Sequence, residues 1–345
     1  MKRSFVSLSF ALLFLLLSSE SFAAKLFVWQ PTESSVPLIL SREDDQSPQE
    51  AAVAYLAAFN ENPGLVELSE GDLEIKLEGF MDFDPSQSQN PKLLVLTSEP
   101  QQFRGAKKAK SWFKMMTEEG ADVYVLPVMH DAGLTESRGE EFRALLTENF
   151  DGILSLGGAD VHTSLYNEPN REAEHTFLER DLSEAKVIKR FLDTETNACF
   201  GICRGAQLTS VVLGYRLHQD IAIETTNGHY HVAHDHPIVW LKVEDSILRK
   251  ALKKYKTDYP SQHHQAVIAE SNPGGQLTLV AAHDPGQGKT KIAEAFEYNN
   301  GRPGFLTQWH YERDKTNKGQ VVMNLAYKEL SRAQALRSCR AAVGE

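Results

Sequence analysis

A chain of 345 residues, 41% of them apolar, has room for one large domain or two ordinary ones and for a sizeable core. Its formal net charge of -11 is spread without long acidic blocks. That argues for a soluble globular protein and against nucleic acid or an anionic membrane as partner. At the N-terminus, MKRSFVSLSFALLFLLLSSESFA combines a basic start at Lys2 and Arg3, an apolar run from Phe5 to Leu17 and a small-x-small site at Ser21-Phe22-Ala23. This is the layout of a secretory signal peptide spanning 1–23 and cleaved after Ala23. The apolar run is short of the roughly 20 residues that cross a bilayer as a helix. Export to a periplasmic or extracellular compartment, with no stable membrane association after cleavage, is therefore expected. An oxidising compartment favours disulfides, yet Cys199, Cys203 and Cys339 are three, so at least one stays unpaired. A Cys199–Cys339 bridge is open and would leave Cys203 free.

Residues 24–90 read as an extension packed on the main domain. Its clearest element starts at SPQEAAVAYLAAF, where Ser47 and Glu50 form a capping box and Pro48 suits the first helical position. The alternation of LEIKL, Leu73 to Leu77, predicts a strand, and DPSQSQNP (84–91) reads as a linker. From Pro91 onward, residues 91–345, buried strands alternate with amphipathic helices. The strands are LLVLT (93–97), DVYVLPV (122–128), GILSLGG (152–158) and ACFGIC (198–203). The helices are expected near Lys107–Glu119, Gly139–Asn149, Glu172–Asp193 and Arg204–Gly214. This pattern predicts an α/β fold, a doubly wound, mainly parallel sheet with helices on both faces. Such sheets bind ligands at the carboxyl ends of their strands. The stretch GQVVMNLAYKELSRAQALR repeats apolar residues at helical spacing and predicts a covering helix.

In FGICRGAQ, Cys203 sits where a strand turns into a helix, between Gly201 and Gly205. A nucleophile on such a turn is held exposed, the glycines allow close backbone approach, and the helix N-terminus behind it favours a thiolate. A buried structural cysteine is the other reading, and the local pattern leaves both open. A thiolate nucleophile needs an imidazole and a group to orient it. FLTQWHYE offers His310 with Glu312 two residues on, on the same face of an extended segment. LGGAD lacks the third glycine of a dinucleotide fingerprint.

Together these segments resemble the class I glutamine amidotransferase-like superfamily, and within it the γ-glutamyl-γ-aminobutyrate hydrolase-type peptidases of family C26. The resemblance runs in order through LSLGGADVHTSLYNEP, RDLSEAKVIKRFLD, GICRGAQ, HYHVAHDHPI, SQHHQAV and QWHYE. It covers about Pro91 to Leu330. It implies a flavodoxin-like three-layer sandwich with Cys203 as nucleophile, His310 as general base and acid, and Glu312 as the residue orienting His310. The oxyanion hole would be backbone N–H groups of Arg204 and of the Gly157-Gly158 turn. Gln207 is the leading substrate contact implied, with Gln262 and His263 behind it. Two departures bear on substrate preference: Tyr311 stands where the family usually has proline, and an asparagine usual near Pro260 is missing.

The implied activity is an exported, cofactor-free cysteine amidohydrolase acting on a γ-glutamyl amide through a γ-glutamyl thioester on Cys203. Its partner would be a small γ-glutamyl substrate, with no nucleic acid and no synthetase, and a homodimer stays open. A folate-type γ-glutamyl hydrolase and a non-catalytic γ-glutamyl-ligand binding protein on the same scaffold are the alternatives. The histidines His229, His231, His234 and His236 suggest metal. The chemistry needs none, no metal is expected, and the preferred reading is a segment at the pocket rim, with His263-His264 nearby in a positioning role.

Overall fold

The computed structural model describes residues 24–30, 37–60, 79–97, 107–132, 134–226, 231, 235–253, 258–272, 274–284, 289–314 and 316–343. The signal segment, the LEIKL strand, His229 and His234 lie outside the described residues. In chain order the strands are β1 (Lys25–Trp29), β2 (Leu38–Arg42), β3 (Phe80–Asp82), β4 (Lys92–Thr97), β5 (Asp122–Pro127), β6 (Gly152–Ser155), β7 (Ala198–Ile202), β8 (Arg216–His218), β9 (His236–Pro237), β10 (Val239–Trp240), β11 (Asp258–Tyr259), β12 (Ala266–Ile268), β13 (Leu277–His283), β14 (Ile292–Tyr298) and β15 (Gly304–Thr307). The helices are α1 (Pro48–Asn60), α2 (Lys107–Glu118), α3 (Met129–Ala132), α4 (Glu136–Asn149), α5 (Leu178–Asp193), α6 (Arg204–Val212), α7 (Ile221–Glu224), α8 (Ile247–Leu252) and α9 (Asn317–Val343).

One 11-stranded sheet runs β10-β13-β14-β15-β7-β6-β4-β5-β2-β1-β3. From β15 across to β2 every neighbouring pair is parallel, and both margins are antiparallel. Because side chains alternate across a strand, β4 feeds two cores. Leu93 and Val95 pack with Trp112 and Met116 of α2 and Val322 and Met323 of α9. Leu94 and Leu96 pack with Phe142 and Leu146 of α4 and with Val187, Ile188 and Phe191 of α5. The expected sheet with helices on both faces is thus present. Buried residues Val322, Met323, Ala326, Leu330 and Ala333 give α9 its covering face. Among the described residues no helix is long and apolar enough to cross a membrane.

Residues of the N-terminal extension continue this sheet. β2 meets β5 in parallel at Leu38↔Val125, and β1 pairs antiparallel with both β2 and β3. α1 begins with the expected capping box: the Glu50 N–H donates to Ser47 Oγ (3.2 Å) and the Ser47 N–H to Glu50 Oε2 (2.8 Å). Cys199 and Cys203 are buried, Cys339 is exposed, and all three are free thiols, which closes the Cys199–Cys339 question.

The helix expected from Glu172 starts six residues later, at Leu178. A right-handed helix cannot run through His175, and the segment before it is held by contacts outside the helix. Arg171 and Glu172 donate N–H to Gln219 Oε1, Glu174 donates to Asp160 Oδ2, and His175 takes a φ of 50°. At its other end α5 is closed by Arg302, from the turn between β14 and β15. That buried guanidinium donates to the carbonyls of Phe191 (3.1 Å), Thr194 (2.7 Å), Asn197 (3.1 Å) and Leu192. Phe191 and Leu192 belong to the last helical turn, whose carbonyls lack intrahelical donors, and Thr194 and Asn197 to the turn that follows it. Arg302→Ala should therefore destabilise the fold by about 3 kcal/mol, read as a lowered urea midpoint. Arg302→Lys should recover little of it, because an ammonium lacks the planar fork; a midpoint shift in Arg302→Ala within experimental error would refute the capping role.

Candidate active site

Three neighbouring parallel strands, β6, β7 and β15, release the chain at the same end of the sheet. β6 leads into the Gly157-Gly158 turn, β7 into Cys203, and β15 toward His310. Cys203 has φ 50° and ψ -115°, a conformation costing a non-glycine residue about 1–3 kcal/mol. Its N–H donates to Thr307 O (2.8 Å), tying the turn to β15. α6 then packs so closely that a Cβ on Gly205 would lie 2.1 Å from Ser155 O. Only glycine fits there. Arg204, the first residue of α6, brings a backbone N–H of the helix's unpaired first turn next to the sulfur.

His310 sits at the N-cap of a short 3-10 turn, Tyr311–Arg313, that contains Glu312, where an extended segment was expected. The His310 Nδ1 lies 2.6 Å from Glu312 Oε1, so Nδ1–H donates and the other ring nitrogen is left to the sulfur. The His310 ring and the Cys203 sulfur both face the Gly157 position, a Cβ there lying 3.0 Å from His310 Cε1, 3.3 Å from Cys203 Cβ and 3.8 Å from Cys203 Sγ, so the glycine turn walls both groups. Burial opposes a charged imidazole, but the Cys203 charge, with Glu312 behind, pushes His310 up to about 9. The expected cysteine, histidine and glutamate thus come together, and Tyr311 is buried against Trp112 with ring centres 4.9 Å apart.

A buried ionic cluster sets the elbow, and sequence reasoning passed over its role. The Arg204 guanidinium pairs with Glu184 (2.6 Å) and with Asp181. Asp181 also holds Arg180 (2.8 Å) and accepts the His162 N–H (2.7 Å), while Ser155 Oγ donates to Glu184. Arg180 reaches the Ala159 and Asp160 carbonyls (3.4 and 3.3 Å). The available signal was RDLSE: Asp181 and Glu184 are one helical turn apart, on a helix face that otherwise packs the core.

The implied substrate contacts are differently disposed. Gln207 is buried, and its Nε2 donates to Gln265 O (2.8 Å) and Gln308 Oε1 (3.2 Å). Gln262 is exposed; its carbonyl accepts from Cys203 Sγ (3.6 Å) and its Oε1 from Arg313 (2.7 Å). His263 has both ring nitrogens engaged inside the protein, Nδ1 with Gln265 O (2.8 Å) and Nε2 with His231 (3.1 Å). Its burial pushes it down to about 3, so it is neutral. His264 bridges Asp160 (2.9 Å) and Asp220 (3.4 Å), and those carboxylates, Asp160 first, hold it up at about 9. The rim reading of the upstream histidines is corrected: His231 is 0% and His236 1% exposed, drawn into the interior by the Glu294 carboxylate. His231, His236, His263 and Glu294 form the group among the described residues whose donor atoms could hold a metal ion.

The sequence model of the family described as peptidase C26 matches residues 100–312. A glutamine amidotransferase-like protein of Lactococcus lactis, YvdE, is 31% identical over 209 residues, 59% of this chain and 79% of that protein. Protein NtpR of Enterococcus hirae is 39% identical over 175 residues, 48% of this chain and 68% of its own length. Among solved structures, the glutaminase domain of Trypanosoma brucei CTPS with bound acivicin superposes with a TM-score of 0.50 at 16% identity, covering 72% of this chain and 94% of that one. That match shares the fold.

The raised His310 gives a pH expectation with a definite sign. A histidine whose folded-state value lies above its ordinary 6.5 contributes stability fully present below pH 6.5 and lost as pH rises through about 9. NMR titration of the imidazole should place His310 near 9, and Glu312→Gln and Cys203→Ala should each lower it. A wild-type value near 6.5 would mean that Cys203 and Glu312 do not hold the imidazolium as the geometry implies.

Proposed function

The chain belongs to the peptidase C26 family, which supports an amidohydrolase-type activity, and from that premise we propose that it hydrolyses a γ-glutamyl amide through a thioester on Cys203. The observation that carries the reading is the convergence of Cys203 and His310 on the Gly157 turn, with Glu312 behind the imidazole at 2.6 Å. The relatives' names, glutamine amidotransferase-like protein and glutaminase domain, point to the side-chain amide of glutamine, and a γ-glutamyl amide presents the same γ-carbonyl.

In the first half-reaction the Cys203 thiolate attacks the γ-carbonyl carbon, forming a C–S bond. The oxyanion is held by backbone N–H groups of Arg204 and the Gly157-Gly158 turn. The C–N bond then breaks as imidazolium His310 gives its proton to the departing amine. In the second, neutral His310 takes a proton from water, whose oxygen attacks the thioester. Glutamate leaves and the thiolate–imidazolium pair is restored. Glu312 keeps the ring oriented throughout, and the raised proton affinity of His310 suits it to protonate an amine. The signal-like first 23 residues support export, away from any ATP-dependent synthetase, which favours hydrolysis over transfer.

The purified chain beginning at Ala24, offered a panel of γ-glutamyl amides, should release glutamate, and Cys203→Ala should lower that release by about four orders of magnitude while keeping the native circular dichroism spectrum. Glutamate release by Cys203→Ala at the wild-type rate, or from no member of the panel, would sink the proposal. For export, N-terminal sequencing of protein from the extracytoplasmic fraction should begin at Ala24, whereas an intact Met1 on soluble cytoplasmic protein would refute it.

A further inference from the structure

We propose that His231, His236, His263 and Glu294 form a structural site for a divalent transition metal ion, Zn²⁺ by its chemistry, that fastens the segment over the nucleophile to the main sheet. The inference is independent of the hydrolase reading, since none of the four residues belongs to the cysteine–histidine–glutamate group.

The four side chains come from three stretches of chain, 231–236, 263 and 294, and converge in the interior. His231, His236 and Glu294 are at most 1% exposed and His263 is 6% exposed. Their donor atoms all lie within 4.8 Å of one another. His231 Nδ1 is 3.1 Å from His263 Nε2 and 3.3 Å from Glu294 Oε1, which is itself 2.7 Å from His236 Nε2 and 3.9 Å from His263 Nε2. A tetrahedral Zn²⁺ site, with ligands about 2.0–2.2 Å from the metal, sets its donors about 3.4 Å apart. The observed spacings straddle that value, so sub-ångström to ångström shifts of side chains suffice.

The hydrogen bonding around the cluster also matches ligation. His263 Nδ1 faces the Gln265 carbonyl at 2.8 Å; a carbonyl only accepts, so that nitrogen carries the proton and Nε2 presents a lone pair to the cluster. Fixing a ligand histidine's tautomer through a backbone carbonyl is the usual outer-sphere arrangement. Glu294 Oε2, His231 Nε2 and His236 Nδ1 have no hydrogen-bond partner among the described residues. The cluster's own hydrogen bonds thus leave it short of the pairing that buried polar groups normally find. A fourth imidazole, His283, packs edge-on against His231 and His236 with ring centres 4.9 and 5.3 Å away. Its Nδ1 donates to Pro237 O (2.6 Å).

Three imidazoles and one carboxylate, without thiolate, suit Zn²⁺ among the divalent transition ions. Four protein ligands leave no open position, which marks a structural rather than catalytic site. The mechanical consequence follows from connectivity. β9, carrying His236, pairs with β11 through His236↔Tyr259. β11 leads directly into the 260–265 segment, where Pro260 O accepts the His310 N–H and Gln262 O accepts from Cys203. Glu294 belongs to β14 of the main sheet. A metal shared by these residues clips the two-stranded β9–β11 unit and the segment after it onto β14.

The test uses the full chain carrying Cys203→Ala, so that the active-site sulfur cannot compete. After chelation and dialysis, Co²⁺ should bind at one equivalent with the visible bands of a tetrahedral complex. Zn²⁺ should displace it one for one and raise Tm by about 5 °C. Glu294→Gln and His263→Gln should each weaken Co²⁺ binding at least about 100-fold. X-ray absorption on the Zn²⁺-loaded chain, which needs no further variant, should read a four-coordinate shell with three imidazoles. Absence of the Co²⁺ bands and of any Zn²⁺-dependent Tm shift, unchanged Co²⁺ spectra in both folded variants, or a shell with fewer than two imidazoles would each overturn the site.

Discussion

Everything at the candidate site hangs on four charges buried between α5 and α6. Arg180, Asp181, Glu184 and Arg204 are each at most 2% exposed, and any one of them alone in that interior would carry a prohibitive desolvation cost. As a set they are neutral, and every carboxylate has a cation and a further donor. Taking away one partner of such a buried pair typically costs about 3–5 kcal/mol. This exceeds the roughly 1–3 kcal/mol stored in the Cys203 backbone, so the cluster is strong enough to keep the elbow strained. Through Arg180 the same cluster grips the carbonyls after the Gly157-Gly158 turn. Cys203 and the Gly157-Gly158 turn therefore share one anchor and do not drift independently.

The segment from Asp258 to Gln265 is the second organising element, because it touches each part of the site in turn. Pro260 O takes the His310 N–H, Gln262 O faces the sulfur, and Gln265 O receives the Gln207 amide. Gln265 Oε1 accepts from Val161, and His264 is held by Asp160, both just beyond the glycine turn. With so many cross-links the segment has little freedom to reposition. Along this wall the exposed Gln262 and the half-buried Arg313 are bonded to each other at 2.7 Å.

The alternation of apolar strands with amphipathic helices carried the architecture, since continuous apolar runs such as 93–97 have one way to bury both faces. GICRG and HYE carried the central site because their chemistry is local: the nucleophile, its turn and the histidine with its orienting carboxylate are read within a few residues. What escaped was what depends on partners distant in sequence. The start of α5 at Leu178 follows from His175, whose φ of 50° breaks a right-handed helix, in a segment anchored by the distant Gln219 and Asp160. His231 and His236 look like surface histidines until Glu294, about 60 residues further on in the chain, draws them inside. Gln207 suits a substrate contact by position, and only the folded chain brings Gln265 and Gln308 to occupy its amide.

The pairing of β7 with β15 joins parts of the chain far apart: Arg302 reaches Asn197 across 105 residues. Closing so long a loop comes late in assembly, because its entropy must be lost before the contacts reward it. Until those strands meet, Cys203 lacks its imidazole and His310 lacks both the sulfur and its raised proton affinity. The elbow, too, has no β15 carbonyl to take its N–H. On the proposed chemistry, reactivity at this sulfur is thus an emergent property of the finished tertiary structure. A nascent or partly folded chain carries Cys203 apart from the imidazole and carboxylate that the chemistry requires.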